Sequence, residues 1–161
     1  MVIHNSFYKI IYNLLLAFFL GMFIYSCSSK KILILGQKLP KEILQKQEES
    51  PPILVMTSAS SFNYSYNITV DNIDFFMAVD KDNKIIYIGT TDKNFITSEG
   101  INIGSTLQDV MNVSEKSMIK ETGWAYYVPL PSGWNAAFTE GEEMTGEEPS
   151  EKSNVKWLFK R

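Results

Sequence analysis

The chain has 161 residues, 15 Lys+Arg against 18 Asp+Glu, 45% hydrophobic residues, one His and one Cys. At ~100–200 residues per domain this is one small domain or two very small ones; a net charge near −3 with no basic block excludes the cationic surface that nucleic acid demands. A single cysteine excludes a disulfide framework, and the apolar and aromatic content is too high for a disordered chain.

Met1–Lys9 carries Lys9 and His4 and no acid, and Ile10–Tyr25 is a sixteen-residue run in which Asn13 is the one strongly polar side chain. A charged start, a short apolar run and the small Ser26 form the pattern of a secretory signal. As a helix the run spans ~24 Å at 1.5 Å per residue, short of the ~30 Å hydrocarbon thickness of a bilayer. The alternative is an uncleaved single membrane helix over Tyr8–Tyr25.

Ile24-Tyr25-Ser26-Cys27 resembles the lipobox of bacterial lipoproteins, with an aliphatic residue three before the cysteine and a small residue just before it. Tyr25 departs from the small residue usual at its position. The resemblance implies diacylglycerol on the thiol of Cys27, cleavage between Ser26 and Cys27, and acylation of the new amino group by a chain such as palmitate. Several acyl chains supply the multiple signals that stable anchoring needs. It also implies a first station at the outer leaflet of the cytoplasmic membrane. In a cell with two membranes, Ser28 resembles the residue of lipoproteins sent on to the outer membrane, since no Asp is there to retain the chain. The expected layout is a signal over 1–26, a lipidated tether over 27–31 and an exported domain over 32–161, with possible halves 32–100 and 101–161.

Removing residues 1–26 takes away one lysine, the single histidine and no acid, leaving 135 residues with a charge near −4. With Cys27 spent on lipid, the exported part has neither imidazole nor free thiol. Triad hydrolase, cysteine protease and His/Cys zinc chemistry have no residues to build them. No cofactor and no catalytic or metal-binding residue is assigned.

In chain order, the apolar run Ile32–Leu35 ends at Gly36, and Leu39–Lys46 reads as a short helix with Pro40 in its first turn. Pro51-Pro52 forces extended backbone. Ile53–Val55 and Phe62–Val70 read as strands, with Tyr64, Tyr66, Ile68 and Val70 on one face. Asp74–Val79 and Lys84–Gly89 form a hairpin about Asp80-Lys81-Asp82-Asn83, and Thr90–Gly100 is a polar loop. Thr106 with Asp109 fits a capping box at a helix start; Ser114–Glu121 extends that helix or forms a second one, ended by Gly123. Three strands follow, Trp124–Leu130, Trp134–Thr139 and Val155–Phe159, the first with Trp124, Tyr126 and Val128 on one face. The last alternates as a half-buried strand. The segment Leu35–Leu44 can be laid on Ile103–Met111 with one gap, which suggests two related halves. The expected fold is α+β, antiparallel sheets with short helices behind an N-terminal signal helix. It weakly resembles the tandem helix-plus-sheet units of envelope proteins similar to β-lactamase inhibitory protein and the small assembly lipoproteins.

Candidate sites are few. Asp80–Lys84 starts like a calcium loop, but Ile85 stands where Gly is needed and Thr91 where the bidentate Glu is needed. Ser117–Lys120 and Ser28–Lys31 match Ser-x-x-Lys without the companion motifs of an acyltransferase. Glu140–Glu151 holds six carboxylates with Gly141, Gly146 and Pro149, an open acidic loop. Asp71, Asp74 and Glu99 are candidates for paired carboxylates, with no spacing that makes them converge. The aromatic group Trp124, Tyr126, Tyr127, Trp134, Phe138, Trp157 and Phe159 supplies core, and any surplus on an outer face supplies a contact surface. The sequence thus reads as a non-catalytic envelope lipoprotein whose partners are the membrane, through Cys27, and an envelope protein or glycan. The rival is a small carboxylate-dependent enzyme acting on envelope glycans.

Overall fold

A computed structural model describes residues 34–41, 43, 53–141 and 144–161. The signal, Ser26, Cys27, the tether and its Ser-x-x-Lys match lie outside the described residues, as does most of the helix expected over 39–46, of which Lys41 and Ile43 are helical.

The strands are β1 (Ile53–Ser58), β2 (Ser61–Val70), β3 (Ile73–Val79), β4 (Ile85–Thr90), β5 (Ile119–Glu121), β6 (Ala125–Pro129), β7 (Asn135–Phe138) and β8 (Trp157–Lys160), with one helix, α1 (Leu107–Val113), before β5. They form one antiparallel sheet in the order β1-β2-β3-β4-β8-β7-β6-β5. Two four-stranded meanders therefore meet where β4 pairs with β8, Gly89 facing Phe159. This corrects the α+β expectation: among the described residues the fold is mainly β, with one short α-helix. The stretch read as a helix over Ser114–Glu121 supplies β5, because α1 stops at Ser114, whose hydroxyl donates to the Pro129 carbonyl (2.7 Å), and Ile119–Glu121 then pairs with β6. Gly123, at φ +80°, makes the β5–β6 turn instead of closing a helix.

Over the middle of the sheet both faces are covered, which is why β3, β4 and β6 read as almost continuous apolar runs. One face carries Met77, Ile88, Leu158, Ala136, Phe138, Tyr126 and Val128, packed against Leu107 and Val110 of α1 and against Leu39 and Ile101. The other carries Ala78, Tyr87, Phe159, Ala137 and Ala125 with Trp124, backed by Met56, Phe76, Tyr127 and Trp157. Two strand expectations change here. Trp124 precedes β6 and packs with Ala125 and Tyr127, not with Tyr126 and Val128. In β8, Leu158 and Phe159 are both fully buried, so the strand is covered on both sides.

The expected capping box is present: the Thr106 hydroxyl accepts from the Asp109 amide (3.1 Å) and the Asp109 carboxylate accepts from the Thr106 amide (2.8 Å). The hydroxyl's own bond to Asp109, then the amide's, holds that carboxyl below its usual range. One backbone pattern occurs twice. Gly36 donates to the Ile85 carbonyl, Ile85 to Gln37 and Leu39 to Asn83; Gly104 donates to Val155, Val155 to Ser105 and Leu107 to Ser153. In each case a left-handed glycine leads the incoming segment alongside the residues that enter the last strand of a meander.

Candidate functional site

The face holding Trp124 curls until its two edge strands approach. No ladder joins β1 to β5; side chains do so instead. The Trp124 indole N–H donates to the Met56 carbonyl (3.1 Å), the Ala59 amide donates to Glu121 Oε1 (2.7 Å), and Arg161 Nη1 donates to the Thr57 carbonyl (3.0 Å). Arg161 Nη2 pairs with Glu121 Oε2 and donates to the Tyr127 hydroxyl (3.0 Å). Its guanidinium lies 4.6 Å from the Trp124 ring centroid, 5.2 Å from Tyr127 and 5.5 Å from Phe159. The negative ring faces and the Glu121 carboxylate both stabilise this cation. The hydrogen bonds from Arg161, against a smaller opposing effect of burial, hold the Glu121 carboxyl below the usual carboxylate range.

Behind this seam the aromatic side chains run on across the sheet. Phe76 stacks on Tyr87 (5.9 Å, 28°), Tyr87 on Phe159 (5.6 Å, 8°), and Phe159 meets Trp124 edge-on (5.0 Å, 79°). Gly89 makes the stacking possible. It lies directly across from Phe76, and a Cβ there would sit 2.9 Å from Tyr87 Cε1 and closer still to the Phe76 ring. Over this array opens an apolar groove of about 320 Å³, lined by Val55, Met56, Phe76, Tyr87, Thr91, Trp124, Met144 and Trp157. Burial pushes the Tyr87 phenol well above its ordinary range, so this lining group stays neutral. A larger, more polar hollow of about 460 Å³ adjoins Arg161, between Ser58, Ser60, Asn63 and Ile86.

Of the aromatic group singled out in the sequence, Trp124, Tyr127, Trp157 and Phe159 converge here, while Tyr126, Trp134 and Phe138 belong to the opposite face. The acidic loop contributes a residue that sequence reasoning missed: Met144 reaches the groove, held by the buried Thr145, whose hydroxyl accepts from the Gly123 amide (2.9 Å). The signal was there, since a Met-Thr pair interrupts a run of Glu and Gly. The loop's Glu147, Glu148 and Glu151 are exposed.

The remaining candidates are accounted for locally. Asp80 Oδ1 accepts from the Asp82 (2.8 Å) and Lys84 (2.9 Å) amides, closing the hairpin turn with Asn83 at φ +60°. The Lys84 amide bond leads in lowering its pKa. Ser117 is exposed, and Lys120 lies over the Tyr126 ring at 5.1 Å. Asp74 accepts from the Thr69 hydroxyl (2.7 Å), Asp71 turns the β2–β3 connection at φ +52°, and Glu99 accepts from the Ser132 amide between β6 and β7. Asp71 and Asp74 thus share the β2–β3 hairpin, and Glu99 binds apart from them at the β6–β7 turn. Among the described residues no three His, Cys, Asp or Glu side chains gather closely enough to hold a metal ion, and no helix is long and apolar enough to cross a membrane.

No protein-family model matches the chain, and no curated protein matches it in sequence. Among solved structures it is similar to the uncharacterized protein yfeY from Escherichia coli, at 16% identity and a TM-score of 0.44, with 81% of this chain and 93% of that chain covered.

Proposed function

We propose that the chain is a lipid-anchored bacterial envelope protein whose exported β domain works by binding, taking an apolar or aromatic group of an envelope protein or glycan into the groove over Phe76, Tyr87 and Trp124. The groove carries this reading: its walls are aromatic and thioether side chains, and its phenol is neutral. Such a surface recognises by contact area and ring stacking. The Ile24–Cys27 pattern supports attachment through Cys27 after cleavage at Ser26. The anchor places the domain at the outer leaflet of the cytoplasmic membrane or at the outer membrane.

Two measurements test the two parts. Metabolic labelling with a fatty-acid analogue labels the native chain and not Cys27→Ala; equal labelling of both removes the anchor. Titration with the neutral fluorophore N-phenyl-1-naphthylamine reads the groove. Met144 is 42% exposed, so Met144→Arg leaves the core intact while placing a cation at the groove mouth, and it weakens binding. Binding indifferent to Met144→Arg removes the groove from the reading.

A further inference from the structure

We propose that the outer face of the β1–β2 hairpin rests on the lipid surface itself, with Leu54, Phe62 and Tyr64 set among the headgroups. The proposal rests on the anchor reading above and adds a docking surface to it.

Phe62, Tyr64, Tyr66, Ile68 and Val70 alternate along β2 and share a face. Tyr66, Ile68 and Val70 pack onto the core, whereas Phe62 and Tyr64 are 59% and 62% exposed. Leu54, directly across from Tyr64, is 55% exposed. One face of a single strand is thus covered over its second half and bare over its first.

Chain length says what covers it. Seven peptide units separate Cys27 from Ile34, the first described residue, and at ~3.4 Å each they reach at most ~24 Å. The segment after Ile34 joins the sheet at Ile85, to which Gly36 and Gln37 are hydrogen-bonded. Ile85 pairs with Val79, next to the Ala78–Ser65 pair, and Leu54–Tyr64 follows one step further. The incoming chain and the bare pair therefore lie on one transverse row of the sheet. At ~4.8 Å per strand that row spans ~20 Å, so a lipid-held Cys27 keeps the hairpin within reach of the bilayer.

Charge on the same margin fits anionic headgroups. Lys38, Lys81 and Lys84 are exposed there. Asp80 is engaged by two amides, which leaves Asp82 as the opposing free carboxylate of that turn. Tyrosine and aliphatic side chains flanked by lysines suit the interfacial region, where rings meet the acyl boundary and ammonium groups reach the phosphates.

The test uses the full lipidated chain in vesicles of phosphatidylcholine and phosphatidylglycerol. With Cys27 acylated, Phe62→Cys supplies one free thiol for a nitroxide label, and Lys152→Cys serves as the comparison site. The expected result at position 62 is loss of collision with an aqueous nickel chelate and gain of collision with lipid-borne oxygen. The label at position 152 stays water-exposed. Identical profiles at the two sites overturn the proposal, as does shielding of position 62 that requires an added envelope protein. A bare Cys27 appears separately, as two labels per Phe62→Cys chain and a mass without the diacylglyceryl group; that outcome removes the anchor and the docking together. Near-ultraviolet dichroism of the buried Trp124 confirms that each variant is folded.

Discussion

Replacing Arg161 by Ala removes in one step most of what joins β8 to the β1–β2 hairpin and to β5. The guanidinium bonds the Thr57 carbonyl, the Glu121 carboxylate and the Tyr127 hydroxyl and covers three aromatic rings. The two charged side chains are 28% and 22% exposed, so water screens part of their attraction. Charge-assisted hydrogen bonds worth ~1.5 kcal/mol net and a cation–π contribution of ~1 kcal/mol give a loss of roughly 2–3 kcal/mol. For a domain of this size that is roughly 10 °C in Tm. The assay is thermal unfolding of native and Arg161→Ala chains across pH. Since Glu121 is held below its usual range in the folded state, its pairing stabilises above the unfolded pKa of ~4.3 and is lost as pH falls through the lower folded value. The gap between the two chains is therefore full at neutral pH and narrows below about pH 4. Arg161→Lys recovers little of it, because a point charge cannot bridge Thr57, Glu121 and Tyr127 together. A gap under ~2 °C at neutral pH, or one that stays constant into acid, would falsify this account of the seam.

Gly89→Ala drives a methyl group into the Phe76 and Tyr87 rings; a loss of ~1–3 kcal/mol is expected in chemical denaturation, with altered near-ultraviolet dichroism, and a neutral result contradicts the stacking. Thr106→Ala removes the N-cap hydroxyl of α1 and costs about 1 kcal/mol in the same assay, while Thr106→Ser retains most of it. Trp124→Phe keeps a ring in place but deletes the bond to the Met56 carbonyl. Amide exchange over Ala59–Phe62 should then quicken, and unchanged protection there means that the indole N–H does not hold the hairpin.

Local chemistry was legible in the sequence wherever it acts over a few residues. The Asp80–Asn83 turn, the Thr106–Asp109 box and the spacing of Tyr66, Ile68 and Val70 each follow from neighbours along the chain. What the sequence concealed was decided across distance. Ser114–Glu121 has helical spacing, yet pairing with β6 makes its end a strand. Trp124 has the right parity for the face of Tyr126 and lies just outside the strand that would impose it. The groove depends on Gly89 lying opposite Phe76 and on Met144 arriving from an acidic loop, two facts of register and tertiary anchoring that no periodicity carries.

The hydrogen bonds that Trp124 and Arg161 donate to the end of β1, and that Glu121 accepts from Ala59 just beyond it, bear on crowding. A margin of unsatisfied peptide groups is an invitation to a neighbouring copy, most of all where molecules are packed side by side. Here the carbonyls of Met56 and Thr57 and the amide of Ala59 are already engaged within the same chain. Those three groups are withdrawn from any second polypeptide, so copies standing shoulder to shoulder have fewer rungs along which to stitch together.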